Sequence, residues 1–300
     1  MSDIPFEADF ERRVVDKLSS VQHLLDSPSY RIAYHDADFI KGDSSRSIRL
    51  QLEVSKPDVF MRHLGIRSTV IVFGSARILS RERAESCLRE VLSRSSGDSD
   101  GVELRDELSR ARSAVELSEY YELAKEFAAI VSESNLARER EEVAEGELIH
   151  DYVICTGGGP GIMEAANRGA SEVDALSVGL NIQLPFEQKP NPYITPELCF
   201  QFHYFAVRKL HFMLRAKALV TFPGGFGTFD ELFEALTLRQ TERMQPIPII
   251  IFGEEFWRQV INFDHLVKTG VIDRSDLELF HFTNSPQEAW EIIKAFHRVN

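Results

Sequence analysis

The stretch Ala218-Leu219-Val220-Thr221-Phe222-Pro223-Gly224-Gly225-Phe226-Gly227-Thr228-Phe229-Asp230-Glu231 decides the fold. Its first five residues carry no charge and read as a strand buried on both faces. Pro-Gly-Gly ends the strand at once, and helical sequence follows from Thr228. A strand that passes through glycines into a helix is the repeating unit of parallel α/β sheets. It also leaves bare backbone amides at a helix N-terminus, where the partial positive charge of the helix favours an anion. The phosphate of a small nucleotide is the anion this turn suggests.

Four similar apolar runs lie on either side: Thr69-Val70-Ile71-Val72-Phe73, Tyr152-Val153-Ile154-Cys155, Leu176-Ser177-Val178-Gly179-Leu180 and Ile247-Pro248-Ile249-Ile250-Ile251-Phe252. Helical sequence separates each from the next, so the fold class is α/β, a doubly wound and mostly parallel Rossmann-like sheet with helices on both faces. Phe205 to Lys217 reads as one of these helices, with Arg208, Lys209 and Arg215 supplying positive charge. The last helix opens at Ser285-Pro286-Gln287-Glu288 with a cap, a proline in its first turn and a capping-box glutamate. Residues 1–66 read as an N-terminal, partly helical extension and 67–300 as the nucleotide-binding domain, with a flexible insertion at about 80–117. Within it SRSSGDSDG, Ser93 to Gly101, is the most loop-like stretch, and Arg138 to Glu147 reads as a charged connector.

Composition narrows the function classes. The 300 residues are 43% hydrophobic, enough for a sizeable core. Cys87, Cys155 and Cys199 are odd in number and widely spaced, without the pattern of a disulfide framework or a zinc site, as expected in a reducing cytoplasm. No metal is expected. The first residues mix charged and apolar side chains and resemble neither a signal peptide nor a membrane anchor. A net charge of -13 argues against a nucleic-acid backbone as partner, since that surface must be basic.

A second glycine turn, Thr156-Gly157-Gly158-Gly159-Pro160-Gly161-Ile162-Met163-Glu164, follows the second strand. It lacks the Gly-Lys-Ser/Thr of a Walker loop and fits the dinucleotide fingerprint only loosely. Two such turns on one sheet edge point to a shared crevice. Glu231 has two readings. It completes a capping box with Thr228, which would make it structural, or it projects a carboxylate beside the anion site. His203 and His211 flank Arg208 but read as packed, and Phe200, Phe202, Tyr204 and Phe205 read as core before base pocket.

Pro223-Gly224-Gly225-Phe226-Gly227-Thr228-Phe229-Asp230-Glu231 resembles the PGGxGTxxE signature of the LONELY GUY (LOG) family. Arg208-Lys209 sits where that family has its Arg-Lys. Gly74-Ser75-Ala76-Arg77 and Gly157 to Glu164 are similar too, so the resemblance spans about Gly65 to Asn300. It implies hydrolysis of a nucleoside 5′-monophosphate, AMP-like or a cytokinin riboside monophosphate, to free base and ribose 5-phosphate, without a cofactor. The family's frequent label of lysine decarboxylase finds no marked pyridoxal-phosphate lysine here. The resemblance makes Arg208 and Glu231 catalytic. It assigns substrate binding to Gly74, Ser75, Gly158, Gly159, Glu187, Lys209, Gly224, Gly225, Phe226, Gly227, Thr228 and Thr237. It also implies a homodimer or larger homo-oligomer. Both the extension and the insertion depart from the short plant-type members and bear on substrate choice. The alternative is a non-catalytic carrier or sensor of a nucleotide or of molybdenum cofactor.

Overall fold

The computed structural model describes residues 21–95, 102–142, 149–185 and 189–298. The chain divides after Lys56 into two compact units. The first holds the short helices α1 (Gln22–Leu25) and α2 (Ala37–Lys41) and the start of α3 (Arg46–His63). The Asp36 carboxylate caps α2, accepting from the amides of Asp38 and Phe39 at 3.2 and 3.1 Å. Arg49 donates to the carbonyls of Ile40 and Gly42, tying the start of α3 to the end of α2. The division falls at Pro57, inside α3, where the ring nitrogen has no hydrogen to give the helix.

The second unit is a seven-stranded sheet in which every neighbouring pair is parallel. In chain order it runs β1 (Thr69–Phe73), α4 (Arg81–Ser95), α5 (Val102–Glu142), β2 (Val153–Thr156), α6 (Ile162–Glu172), β3 (Ser177–Ile182) and β4 (Cys199–Phe202). It continues with α7 (Phe205–Leu214), β5 (Ala216–Thr221), α8 (Phe226–Gln240), β6 (Ile249–Phe252), α9 (Glu254–Val260), α10 (Phe263–Lys268), β7 (Phe280–Thr283) and α11 (Pro286–His297). The strand order β4-β3-β2-β1-β5-β6-β7 reverses between β1 and β5. In open α/β sheets, ligands bind at the carboxyl ends of the two strands where the order reverses.

Alternation along the strands sends Val70, Val72, Ile154, Val220, Ile250 and Phe252 to one face, where they pack on Tyr121, Phe127 and Val131 of α5 and Trp290 and Ile293 of α11. Fully burying a large apolar side chain such as these contributes about 1.5–3 kcal/mol. On the opposite face Phe73 meets Phe212 of α7 edge-on at 4.8 Å. The doubly wound architecture expected from the strand runs is thus present, with helices on both faces.

Several elements differ from expectation. Cys199–Phe202 and Phe280–Thr283 are strands that the apolar runs do not announce. Phe200 and Phe202 are core residues of β4, while Phe205 is exposed. α7 stops at Leu214 because the chain turns directly into β5, whose Ala216 pairs with Thr69. Within the segment 80–117, residues 81–95 and 102–117 are helical, and α5 runs on to Glu142 through the start of the expected connector. At α11 the Ser285 hydroxyl accepts from the Glu288 amide at 3.2 Å. The Glu288 carboxylate, however, accepts from the Thr283 hydroxyl, which itself takes the Ser285 amide. The capping box is therefore closed through a third residue. Among the described residues no helix is long and apolar enough to cross a membrane.

Candidate active site

The carboxyl ends of β1, β2 and β5 are laced together by backbone. Phe222 N–H donates to Phe73 O at 2.8 Å, Ser75 N–H to Pro223 O at 3.0 Å, and Ile162 N–H to Ser75 O at 3.1 Å. Gly74 packs against Ile162 so closely that a Cβ there would lie 2.7 Å from it. The segments leading into both glycine turns are therefore joined at one end of the sheet. Gly74 and Ser75 serve as the tie between them: the Ser75 amide and carbonyl are both committed to backbone bonds.

The turn after β2 is held from within. Gly158 N–H donates to Thr156 Oγ1 at 2.9 Å, Gly158 O accepts from Asn191 N–H at 2.9 Å, and Gly159 O accepts from Asn191 Nδ2 at 3.1 Å. Asn191 Nδ2 also donates to Asn167 Oδ1, which accepts from Thr156 Oγ1 as well. Gly158 has φ 73°, and its Cα lies against the Asn181 side chain. Its amide is thus used for structure. Asn167, Asn181 and Asn191 shape this turn, and no motif in the sequence marks them.

The turn after β5 is different. α8 begins at Phe226 with Gly225 as its N-cap, and no side chain caps it. The first helical bonds are those of Thr228 and Phe229 to Gly225 O, so the amides of Phe226 and Gly227 precede the helical ladder. A Cβ at Gly225 or Gly227 would meet nothing within 4 Å, whereas one at Gly224 would strike Thr228 Oγ1. The turn is consequently open on the side of Gly225 and Gly227 and braced from beneath by Thr228. Phe226 stands 96% exposed at its tip.

The capping box spelled by Thr228 and Glu231 is not formed, because Thr228 already lies inside α8. Glu231 is instead buried, 5% exposed, and its Oε2 has no hydrogen-bond partner. Burial, reinforced by the charges of Glu234 and Asp230, raises its carboxyl to about 7 against the pull of Lys209 and Arg208. A carboxyl in that state holds or releases a proton near neutrality.

Two cations from α7 face it. Arg208 donates from Nε to Leu180 O at 2.8 Å, and its Cζ lies 5.2 Å from the centre of the Phe212 ring. Its Nη2 rests on Gly157, where a Cβ would come within 2.5 Å. Burial lowers its pKa, opposed by Glu231, Cys155 and Asp230, but a guanidinium stays charged. Lys209 Nζ lies 2.8 Å from Glu234, 2.9 Å from Asp230 and 3.6 Å from Glu231. Burial works against its charge, yet hydrogen bonds to Glu234 and Asp230 and the charge of Glu231 outweigh it and hold the ammonium above its ordinary pKa.

Thr237 is not gathered into this cluster. It is exposed, and its hydroxyl donates to Phe233 O at 2.7 Å one turn back along α8. Glu187 lies outside the described residues. His211 is buried with its ring 5.3 Å from that of Phe202, and His203 is exposed. A groove of about 1000 Å³ between α7 and α8 reaches this cluster only through Lys209 and Glu234. Among the described residues no group of three or more His, Cys, Asp or Glu side chains is arranged to hold a metal ion.

Residues 163–293 match a family model described as "Possible lysine decarboxylase". No curated protein matches the chain. Solved structures with a similar fold include the molybdenum cofactor binding protein from the phototrophic bacterium Rippkaea orientalis, at 16% identity and TM-score 0.42, covering 59% of this chain and 87% of that one. TM1055 is 20% identical with TM-score 0.42, covering 76% and 99%. The Moco carrier protein from Chlamydomonas reinhardtii is 16% identical with TM-score 0.40, covering 76% and 97%. The description as a decarboxylase finds no support at Lys209. Pyridoxal phosphate needs a neutral lysine amine to form its Schiff base, and Lys209 is held as the ammonium by carboxylates. The matched stretch contains Arg208, Lys209 and the whole turn from Pro223 to Glu231, the residues on which the resemblance to the LONELY GUY family rests.

Proposed function

We propose that the protein hydrolyses the N-glycosidic bond of a nucleoside 5′-monophosphate, releasing free base and ribose 5-phosphate. The observation that carries this reading is Glu231, a buried carboxyl with an unpartnered oxygen and a pKa raised to about 7, one and a half helical turns from an open, uncapped helix N-terminus. The substrate phosphate binds at Gly224, Gly225, Phe226, Gly227 and Thr228, where amides and helix dipole favour an anion. Arg208 contributes its two terminal nitrogens, since Nε is committed to Leu180, and reads the phosphate or the adjoining ribose. Lys209 assists.

Anchored in this way, the ribose places C1′ beside Glu231. As the bond from C1′ to the base nitrogen breaks, its electron pair leaves with the base and positive charge grows on the sugar ring. The Glu231 carboxylate stabilises that charge and takes a proton from the attacking water, whose oxygen bonds to C1′; the proton then passes to the departing base nitrogen. A carboxyl near neutrality suits both halves of that transfer. Binding energy from the remote phosphate supports the orientation of the reacting carbon.

The substrate is AMP-like or a cytokinin riboside monophosphate, the setting is cytoplasmic, and a second copy of the chain helps close the crevice. Exposure of Phe226, Phe205 and Leu210 supports that last point. The test is incubation with AMP, GMP, CMP, UMP and a cytokinin riboside monophosphate, followed by chromatography for free base. Release of base from at least one of them is the expected result. Binding without release would reject hydrolysis in favour of a nucleotide carrier.

A further inference from the structure

Lys209 lies within ion-pair reach of Glu231 but gives its hydrogen bonds to other carboxylates. Its ammonium lies 2.8 Å from Glu234 Oε2 and 2.9 Å from Asp230 Oδ2, but 3.6 Å from Glu231 Oε2, beyond hydrogen-bond distance. Asp230 and Glu234 stand four residues apart on one face of α8, so both carboxylates reach the same cation. Glu231 is set about 100° further round the helix from Asp230 and is buried. An ammonium with three donors, relieved of either neighbour, would turn to the remaining oxygen within reach, the unpartnered one of Glu231.

We propose that Glu234, with Asp230, is a positioning residue: the two carboxylates hold the Lys209 ammonium off Glu231, so that the buried carboxyl remains available to the reacting centre. The inference rests on the reading of Glu231 as the reacting carboxyl. The charged groups facing Glu231 are Arg208 and Lys209 from α7 and Asp230 and Glu234 from its own helix. Of these, Glu234 and Asp230 repel its negative form while the two cations favour it. Removing the charge of Glu234 thus acts twice in one direction, by deleting a repulsion and by freeing Lys209 to come into hydrogen-bond contact with Glu231. Both effects move the ionisation of Glu231 towards acid.

The experiment uses the full chain and two independent readouts. In Glu234→Gln, which keeps the side-chain volume at a half-buried position, base release is expected to begin at a pH lower by about one unit, so that the ratio of rates at pH 5.5 and pH 8 rises about sevenfold. The ionisation of Glu231 itself is followed by carbon-13 NMR of glutamate-labelled protein, with its carboxyl signal assigned by its loss in Glu231→Gln. The midpoint in Glu234→Gln is expected to fall by the same interval, while Glu234→Asp, which retains the charge, is expected to stay near wild type. An unchanged Glu231 midpoint in folded Glu234→Gln overturns the proposal, as does a reduced rate with an unmoved pH profile. If wild type releases no base from any nucleotide and the NMR midpoint nevertheless moves, hydrolysis is rejected and the positioning of Lys209 stands.

Discussion

Replacing Glu231 by Gln is expected to stabilise the protein at pH 8 and to have little effect near pH 4. The folded protein holds the Glu231 proton up to about 7, whereas an ordinary glutamate releases it at 4.5. Between those values the folded chain binds a proton that the unfolded chain has lost, so wild-type stability falls as pH rises across that window and levels off above it. Gln carries no charge at any pH and escapes the loss. At about 1.4 kcal/mol per pH unit, the interval between 4.5 and about 7 corresponds to a difference of about 3 kcal/mol, present in full at pH 8 and absent below about 4.5. Lys209 keeps Asp230 and Glu234 in the variant, so it is not left as a buried unpaired charge. Urea denaturation of wild type and Glu231→Gln at pH 4, 6 and 8 measures the difference directly, and titrating groups remote from Glu231 cancel in the comparison. A stability difference that does not change with pH, or a variant less stable than wild type at pH 8, would refute the burial argument.

Other substitutions separate structure from binding. Gly227→Ala places a methyl group where nothing lies within 4 Å, inside a helix, so stability is expected to hold or rise by about 0.5–1 kcal/mol, while calorimetric affinity for AMP falls at least tenfold because the methyl intrudes on the anion; unchanged affinity would remove the phosphate from this turn. Arg208→Ala is expected to raise KM and lower kcat together in steady-state kinetics, and a normal KM with an intact rate would reject its role. Asn191→Ala removes two donated bonds inside the glycine turn after β2 and is expected to cost about 1–3 kcal/mol in urea denaturation.

The centre of the sheet was legible because β1, β2, β3, β5 and β6 are almost wholly buried and must be apolar on both faces. β4 and β7 were not, because each is a four-residue edge strand with one neighbour, and exposed Gln201 and His281 interrupt the apolar signal. The glycine turns announced themselves, since backbone that must approach an anion or cross another loop has few alternatives to glycine. Their supports did not: Asn191 and Asn167 meet across 24 residues of chain, and neither has a spacing that signals it. Glu231 shows how local pattern misleads. Thr228-Phe229-Asp230-Glu231 spells a cap, but α8 starts two residues earlier at Phe226, and that shift turns the glutamate from a cap into a buried carboxyl. Asp230 is bound to Lys209 from another helix. Tertiary partners of this kind leave no trace in one-dimensional spacing.

The central claim is that Glu231 performs chemistry on a nucleotide held by the α8 turn. The most direct measurement compares wild type and Glu231→Gln with the nucleotide that wild type cleaves, following free base by chromatography and binding by calorimetry. The account predicts base release by wild type, loss of at least a hundredfold of that rate in the variant, and nucleotide affinity within about threefold of wild type. Base release by Glu231→Gln at the wild-type rate would contradict it.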